Sequence, residues 1–414
     1  MVHLASDPAF ACPIEPRASS RSAEQVVIFD VLSHGSMHLQ FNEAYVRLVR
    51  AAFPSHPIVF HARPAHLEGL WGRIGDVDRV EMRPCAPFAV PFGFSHHSPL
   101  AGRWAARNSV RGIRRLLTDC SPLFVSVLGV DANLYADFRR SWRSVGDIPL
   151  HLILHSQLGD SMLWRSRNPF VRIFDFASVI DRPLPPPVRL VALELGVQQA
   201  ITEFTRKPVD GICTLEHPIL RSEWCSNQSF RRDGVLRIGF LGHSSRTKGF
   251  PLFAELARKH RSQERRFEAV GMWAPDTEIA NLSSLDRVPV QGGLPRTAYL
   301  EALATVDAVC LPLSGRAYDF IASGSVSDAI AGLKPLIALR TRTLEAIWDR
   351  YGPIGYLAQS SQELDEYVGT MTLSKFLHDQ KTWRGNLQKL RYSRLPESQA
   401  ENYAKLIGAG AISC

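Results

Sequence analysis

Short apolar runs alternate with amphipathic helical stretches along almost the whole chain. In the first half, this pattern predicts strands at residues 26–32, 58–61, 123–128, 150–155 and 189–193, and helices at 39–52, 101–117, 132–142 and 197–205. Strands follow again at 236–241, 267–271, 287–291, 308–313, 335–338 and 354–357. Such alternation predicts parallel sheets covered by helices on both faces. Because the strands fall into two series, we expect two sheets in two domains.

The domain boundaries follow from where this pattern stops. Residues 1–24 show neither the apolar runs of strands nor the amphipathic pattern of helices, and they are predicted to be a flexible tail. The polar segment 221–234 is predicted to be a linker. An N-terminal domain then spans 25–220 and a C-terminal domain 235–380, followed by helices over 381–414 that break at Leu395-Pro396. The 414 residues suit two domains of about 100–200 residues each.

Composition narrows the class of partner. The formal net charge of +8 and the pI of about 9.2 suit a partner that bears phosphates, whether a nucleotide, an anionic lipid surface or a nucleic acid. Seven scattered cysteines without a C-x-x-C pair argue for reduced thiols and against a zinc site or a disulfide framework. No signal-peptide core and no apolar run of about 18–20 residues is present, so we expect a cytoplasmic protein.

The strongest local signal for chemistry follows the strand at 236–241. The strand ends at Gly242, and a polar loop with Arg246 and Lys248 leads into a helical pattern at 251–259. In such a unit the N–H groups at the helix start favour an anion, and the glycine lets a phosphate approach the backbone. The spacing matches neither a Walker A loop nor a complete dinucleotide fingerprint. A surface turn with two solvated cations is the alternative interpretation.

A second unit of the same kind follows the run at 308–313. Its helix begins at Ser323, Gly324 and Ser325 and carries Asp328. Because the carboxyl ends of parallel strands open onto one edge of a sheet, both helix starts would face the same site. A diphosphate and a ribose would fit between them.

These two segments resemble the nucleotide-binding domain of glycosyltransferase-B fold enzymes, in particular the retaining, sugar-nucleotide-dependent class. The patterns are G-x-x-x-x-x-K-G after the first strand and S-G-x-x-x-D-A-x-A-x-x-x-P-x-I-A downstream. The resemblance covers residues 235–345 well and 25–220 loosely. It implies an α/β protein of two Rossmann-like domains facing across a cleft, with a last helix over 397–407 that crosses back to the first domain.

The resemblance also implies how the donor nucleotide is held. Lys248 would bind the diphosphate of a nucleoside-diphosphate sugar, and Asp328 would hold the ribose hydroxyls. The family has an arginine directly after the glycine, where this chain has His243, so Arg246 would supply the second cation.

The donor sugar would be held by a second group of residues. Phe320 stands where the family often has a glutamate, eight residues before the helix acid, and the nearest carboxylate is Asp319. His155 ends the strand 150–155 and resembles the family's cleft histidine, although a histidine at a strand end can also be purely structural. We take His155 and Asp319 as candidate catalytic residues, with Tyr318 as a further partner of the sugar.

The loop after the first strand would also face the cleft. Gly35 resembles the loop glycine that lets the backbone approach the donor, and His38 could contact the diphosphate or the acceptor. The alternative is a turn in which Ser33 or Ser36 caps the following helix.

The predicted helix 101–117 carries a basic stripe. Arg103, Arg107, Arg111 and Arg114 fall on this stripe, Trp104 lies toward the other side, and all five are predicted to face a membrane. A basic amphipathic helix can lie on anionic lipid, each cation contributing about 1 kcal/mol. A solvated outer face is the alternative. The basic and aromatic mix recurs over 164–172 and would also suit single-stranded nucleic acid, but no RNA-binding motif accompanies it.

Together these features predict a glycosyltransferase, peripheral on the inner face of the cytoplasmic membrane, that acts in polysaccharide or glycolipid biosynthesis. It would move a sugar from a nucleoside-diphosphate sugar to a saccharide acceptor that is lipid-linked. We expect no metal, since the acid-x-acid triplet 76–78 is the kind expected once by chance. The resemblance implies retention, in which the leaving phosphate can take the acceptor proton. Two alternatives stay open: a non-catalytic nucleotide-sugar-binding or scaffold protein, favoured by His243 and Phe320, and a sugar-nucleotide epimerase.

Overall fold

The computed structural model describes residues 24–33, 35–85, 99–118, 120–155, 158–163, 176–180, 182–205, 212–224, 233–277, 282–313 and 316–408. Three predicted segments lie wholly or partly outside these ranges: residues 1–23 of the predicted tail (1–24), the basic segment 164–172, and residues 225–232 of the predicted linker. Within them, no helix combines the length and the apolar character that crossing a bilayer requires.

The first half of the described chain forms one parallel sheet. Its seven strands are β1 (Gln25–Asp30), β2 (Ile58–Ala62), β3 (Val80–Pro84), β4 (Pro122–Leu128), β5 (Leu150–Leu154), β6 (Val188–Leu193) and β7 (Ile212–Leu215). They lie in the order β3-β2-β1-β4-β5-β6-β7, so strand addition reverses between β1 and β4. In open parallel sheets, ligands bind beyond the carboxyl ends of the strands at such a switch point.

Helices cover both faces of this sheet. They are α1 (Leu39–Ala52), α2 (Pro64–Ile74), α3 (Pro99–Leu117), α4 (Ala132–Ser141), α5 (Leu158–Leu163), α6 (Phe176–Val179) and α7 (Leu195–Thr205). Alternate residues of β1 enter opposite cores, with Val26 and Ile28 in one and Val27 and Phe29 in the other. This double burial explains why the strand reads as a continuous apolar run.

The second half forms a five-stranded parallel sheet. Its strands are β8 (Leu236–His243), β9 (Arg265–Met272), β10 (Ala308–Leu311), β11 (Leu336–Leu339) and β12 (Gly355–Ala358), in the order β12-β11-β10-β8-β9. The helices are α8 (Phe250–His260), α9 (Arg296–Thr305), α10 (Gly324–Ala331), α11 (Arg342–Tyr351), α12 (Ser361–Thr370), α13 (Leu373–Ser393) and α14 (Pro396–Gly408). Two parallel sheets with their helices confirm the predicted α/β class with two Rossmann-like domains.

One predicted strand was wrong. Residues 287–291 form only isolated bridges to β9, in which Arg287 pairs with Glu268 and Val290 with Met272. Pro289 stands between the two bridges and has no N–H to donate, so a continuous ladder cannot form there. Conversely, α2, α5, α6, β3 and β7 of the first domain were not predicted. β3 and β7 are edge strands whose residues are mostly exposed or half-buried.

The C-terminal helix α14 packs against α1 of the first domain. The Tyr403 and Tyr45 hydroxyls share a hydrogen bond, and the Tyr45 hydroxyl lies 2.7 Å from Ser126 Oγ. Burial raises the pKa of Tyr45 to about 12, so the group stays neutral. Just before α14, Arg394 donates to Glu194 at 2.8 Å in a buried ion pair. These contacts tie the end of the chain to the first sheet.

A short 3-10 turn, Arg316–Phe320, makes a second contact between the domains. It belongs to the second domain, but the Phe320 ring lies in the core of the first and meets Phe204 edge-on at 5.5 Å. The two domains are thus packed together beside the edge where both sheets end.

Candidate nucleotide-binding site

A cavity of about 270 Å³ lies between the carboxyl edges of the two sheets. The first domain and the segment after it contribute one wall, formed by His38, Gln40, Phe41, His155, His217, Pro218, Ile219, Leu220 and Glu223. The second domain contributes the other, formed by Gly242, Lys248, Arg296, Tyr299, Gly324, Ser325, Ser327, Asp328 and Ala331.

Lys248 is positioned by the end of β8 and the start of α10. Its Nζ donates to Ser325 Oγ at 2.8 Å, and that hydroxyl donates to the Leu241 carbonyl oxygen at 3.0 Å. Gly242 makes room for this contact: its φ is +85°, and a Cβ there would lie 2.7 Å from Lys248 Nζ. At Gly324, the first residue of α10, a Cβ would meet nothing within 4 Å, so this backbone is open to the cavity.

The protonation state of Lys248 is sensitive to its surroundings in the cavity. Burial lowers its pKa from the ordinary 10.5 to about 8, and the Asp328 carboxylate partly offsets this. An anion beside Nζ would favour the protonated form. Lys248 and the N–H groups that begin α10 together present hydrogen-bond donors and positive charge at the end of the second sheet, an arrangement that suits an anion.

Asp328 projects from α10 and is held by two residues of α9. Arg296 donates to Oδ1 at 2.7 Å, and the Tyr299 hydroxyl donates to Oδ2 at 2.8 Å. Arg296 also pairs with Glu223 from the segment after the first domain. Each carboxylate oxygen of Asp328 thus accepts one bond and retains a lone pair, so it can still accept from a ligand hydroxyl.

The opposite wall is formed by aromatic and imidazole rings. His38 and His155 lie 4.1 Å apart between ring centroids, and Phe41 lies 4.8 Å from His155 and 5.2 Å from His217. Burial lowers the pKa of His155 well below its ordinary value and that of His217 to about 4. These imidazoles are neutral near pH 7, so they can donate and accept hydrogen bonds but do not add positive charge.

Solved structures resemble the whole described architecture. A glycosyltransferase from Rickettsia africae ESF-5 aligns with a TM-score of 0.62 at 11% identity, over 94% of this chain and 100% of that one. An alpha,alpha-trehalose-phosphate synthase (UDP-forming) from Burkholderia vietnamiensis aligns with a TM-score of 0.61 at 9% identity, over 95% of this chain and 100% of that one. WaaG, a glycosyltransferase involved in lipopolysaccharide biosynthesis, aligns with a TM-score of 0.55 at 12% identity, over 91% of this chain and 99% of that one. No protein-family profile matches the sequence, and no curated protein matches it. The chain has the glycosyltransferase-B fold.

Within this glycosyltransferase-B fold, the cavity gathers only some of the residues that the sequence suggested. Those that line it are His38, His155, Gly242, Lys248, Gly324, Ser325 and Asp328. Ser323 is buried immediately before α10 and is not part of the lining. Gly35 also lies outside the lining, where its carbonyl oxygen accepts a hydrogen bond from His66 Nδ1 at 2.9 Å.

Three predicted contacts are placed elsewhere. The Arg246 side chain is exposed, because the turn at 246–249 directs it outward while its N–H donates to Asp276. Tyr318 is buried in the core of the second domain. Asp319 accepts the Arg342 N–H at 2.8 Å at the start of α11, where a carboxylate satisfies a helix N-terminus. None of the three lines the cavity.

The residues predicted for the site do not include Arg296, His217 or Glu223, all of which line the cavity. Arg296 is the first residue of α9, where a cation opposes the helix dipole, and that unfavourable placement was the available signal. His217 follows β7, an edge strand that the pattern did not predict. In the described part of the chain, no group of three or more His, Cys, Asp or Glu is arranged to hold a metal ion.

The predicted membrane-facing residues lie on α3, away from this cavity. Arg107 and Arg111 are exposed, Arg103 and Arg114 are half-buried, and the Trp104 side chain is 70% exposed. All five line a separate groove between α3 and α4.

Proposed function

We propose that this protein is a glycosyltransferase that moves a sugar from a nucleoside-diphosphate sugar to an acceptor hydroxyl. The observation that carries the proposal is the convergence of Lys248, Arg296, Asp328 and the start of α10 on one interdomain cavity. The structural neighbours, which include glycosyltransferases and a UDP-forming synthase, support the same class of donor.

In this proposal the nucleotide lies along the second domain. The diphosphate accepts hydrogen bonds from Lys248 Nζ and from the first N–H groups of α10, while the ribose hydroxyls donate to the remaining lone pairs of Asp328. Arg296, which pairs with Glu223 and Asp328, holds the Asp328 carboxylate in place. Lys248 and the start of α10 stabilise the diphosphate charge that a metal would otherwise offset, so we propose a metal-independent reaction.

The chemistry follows from where charge develops. The bond between the anomeric carbon and the diphosphate oxygen breaks as a bond to the acceptor oxygen forms, and negative charge grows on the leaving diphosphate. Lys248 and the helix start stabilise that charge, which lowers the barrier. With retention, the leaving phosphate oxygen takes the acceptor proton. His155, kept neutral by burial, then positions a sugar hydroxyl.

The acceptor is proposed to be a lipid-linked saccharide, which places the enzyme on the inner face of the cytoplasmic membrane. The basic face of α3 with the exposed Trp104 supports this, because cations and tryptophan are the side chains that favour an anionic lipid interface. A role in polysaccharide or glycolipid biosynthesis follows from such an acceptor.

One observation favours a second candidate, a nucleotide-sugar-binding or scaffold protein without transfer activity. Phe320, which stands where the resemblance places a glutamate, is buried against Phe204 in the first domain. Asp319, the nearest carboxylate, is occupied at the start of α11. Neither Phe320 nor Asp319 therefore offers a carboxylate to the donor sugar, and neither lines the cavity.

The test measures thermal stability of the full chain with UDP, GDP, ADP and CMP, alone and as sugar conjugates. A ligand at about 100 times its dissociation constant should stabilise the protein by about 2.7 kcal/mol. Lys248→Ala should lose about 1.5–3 kcal/mol of binding energy, whereas the exposed Arg246→Ala in the same turn should bind normally. No shift with any nucleotide would refute the site.

Radiolabelled donor then separates the candidates. Incorporation of label into a lipid-extractable acceptor supports transfer. Binding without turnover in the presence of membranes supports the scaffold, and isomerised donor in the absence of acceptor would indicate an epimerase.

A further inference from the structure

A second concave surface lies between α3 and α4 and shares no lining residue with the interdomain cavity. This α3–α4 groove has a volume of about 530 Å³. It is lined by Arg103, Trp104, Arg107, Val110, Arg111, Arg114, Asp137, Arg140 and Ser141. Five guanidinium groups and one carboxylate therefore face the same space.

The arginines are packed more densely than helix stability favours. Arg103, Arg107 and Arg111 repeat every four residues on α3, and like charges at this spacing each destabilise a helix by a few tenths of a kcal/mol. The helix sequence PLAGRWAARNSVRGIRRLL has no acidic residue to offset them. Burial lowers the pKa of Arg103, and the nearby Arg140 lowers it further. A bound anion would relieve it.

Asp137 makes the α3–α4 groove more than a basic surface. Its residue is only 9% exposed, and among the described residues no partner donates to its Oδ2 atom. Burial raises the pKa of this carboxyl, while Arg103, Arg140, Arg107 and Arg111 oppose the shift. A buried acceptor without a partner is costly, so a ligand that brings a hydroxyl to it would gain a hydrogen bond.

We propose that the α3–α4 groove binds a phosphorylated polyol. The phosphate oxygens accept from Arg107, Arg111 and Arg140, and a polyol hydroxyl donates to the Asp137 carboxylate, which lines the groove. Trp104 at the groove covers the carbon skeleton. This assignment goes beyond membrane contact, because a purely electrostatic contact needs neither a walled groove nor a buried carboxylate. It does not depend on the transfer activity.

The same chemistry is offered by a free polyol phosphate and by the headgroup of an anionic lipid. Calorimetric titration of the full chain with glycerol 3-phosphate tests the first source, with inorganic phosphate for comparison. Co-sedimentation tests the second, using phosphatidylcholine vesicles that contain either phosphatidylglycerol or phosphatidylmethanol. These two lipids carry the same charge, but only phosphatidylglycerol has headgroup hydroxyls.

Three variants give the site its signature. Arg140→Gln should weaken binding by about tenfold, the loss of one charged hydrogen bond, while Arg115→Gln, exposed on α3 outside the groove, should leave it unchanged. Asp137→Asn should tighten inorganic phosphate, because a repelling charge is removed, and at the same time abolish the preference for the hydroxylated ligand. Melting temperatures confirm that each variant folds.

Saturable binding of glycerol 3-phosphate identifies a soluble ligand, and selective binding of phosphatidylglycerol vesicles identifies a lipid headgroup. If the protein binds both kinds of anionic vesicle equally, and Asp137→Asn does not change that binding, the proposal is overturned. The groove would then be a non-specific basic surface.

Discussion

If Lys248 holds a diphosphate as proposed, its charge should make nucleotide binding depend on pH near 8. Its pKa is lowered to about 8 by burial, whereas an exposed lysine stays protonated to about pH 10. Only the protonated side chain attracts the diphosphate. The affinity for a nucleoside diphosphate should therefore fall as the pH rises through 8.

The size of this effect follows from the protonated fraction of Lys248. With a pKa of about 8, that fraction falls from about three-quarters near pH 7.5 to about one-tenth near pH 9. The dissociation constant should therefore rise by about eightfold, which corresponds to about 1.2 kcal/mol. Working above pH 7.5 avoids the titration of a terminal phosphate, which lies near pH 6.

Isothermal titration calorimetry between pH 7.5 and 9 measures this change, with the full chain and its best nucleoside diphosphate. The neighbouring His217 has a pKa of about 4 and stays neutral throughout. The matched control is Lys248→Met, which should bind weakly at every pH with a flat profile. A wild-type affinity that does not change to pH 9, or an eightfold loss that persists in Lys248→Met, would refute the role of this lysine.

Three further predictions concern stability, each measured by urea unfolding. Gly249→Ala should cost at least about 2 kcal/mol, because φ is +77° and a Cβ would lie 1.8 Å from the Pro312 carbonyl oxygen. Burial lowers the pKa of His151 to about 3, so between pH 6.5 and 3 only the unfolded chain binds a proton at this residue. The free energy of unfolding therefore falls as the pH falls. His151→Phe should remove about 1.2 kcal/mol of the loss between pH 7 and 5.5. Tyr403→Phe should cost about 1–2 kcal/mol by removing the hydrogen bond to Tyr45. A Gly249→Ala protein as stable as wild type, an unchanged acid sensitivity in His151→Phe, or a neutral Tyr403→Phe would each contradict its prediction.

The residues that could be predicted from the sequence lie in local motifs. Lys248 and Asp328 belong to strand–turn–helix units whose glycines and helix starts are contiguous in the chain, so their direction toward the strand ends follows from local rules. Arg246 shares that loop, but a turn directs neighbouring side chains to different sides. The sequence alone could therefore not show that Lys248 lines the cavity whereas Arg246 does not.

The residues that could not be predicted come from tertiary packing. Arg296 and Glu223 reach the cavity from a helix start and a short turn that carry no motif, and they meet only because the two domains pack together. Tyr318 and Asp319 were expected at the site because they stand beside Phe320, the position at which the resemblance implies a glutamate. The 3-10 turn that holds them is instead directed into the cores and toward α11.

The packing of Phe320 constrains how the proposed transfer could work. Its ring fills part of the first-domain core, so a glutamate at this position would place a charge among apolar side chains rather than in the cavity. The contact between the domains is therefore built on an apolar residue where the resemblance expected a sugar ligand. If the protein transfers a sugar, hydrogen bonds to that sugar must come from the other wall, where His38 and His155 lie 4.1 Å apart between centroids. The burial that keeps His155 neutral then matters for chemistry, because a neutral imidazole can accept from one sugar hydroxyl and donate to another, whereas a protonated one can only donate.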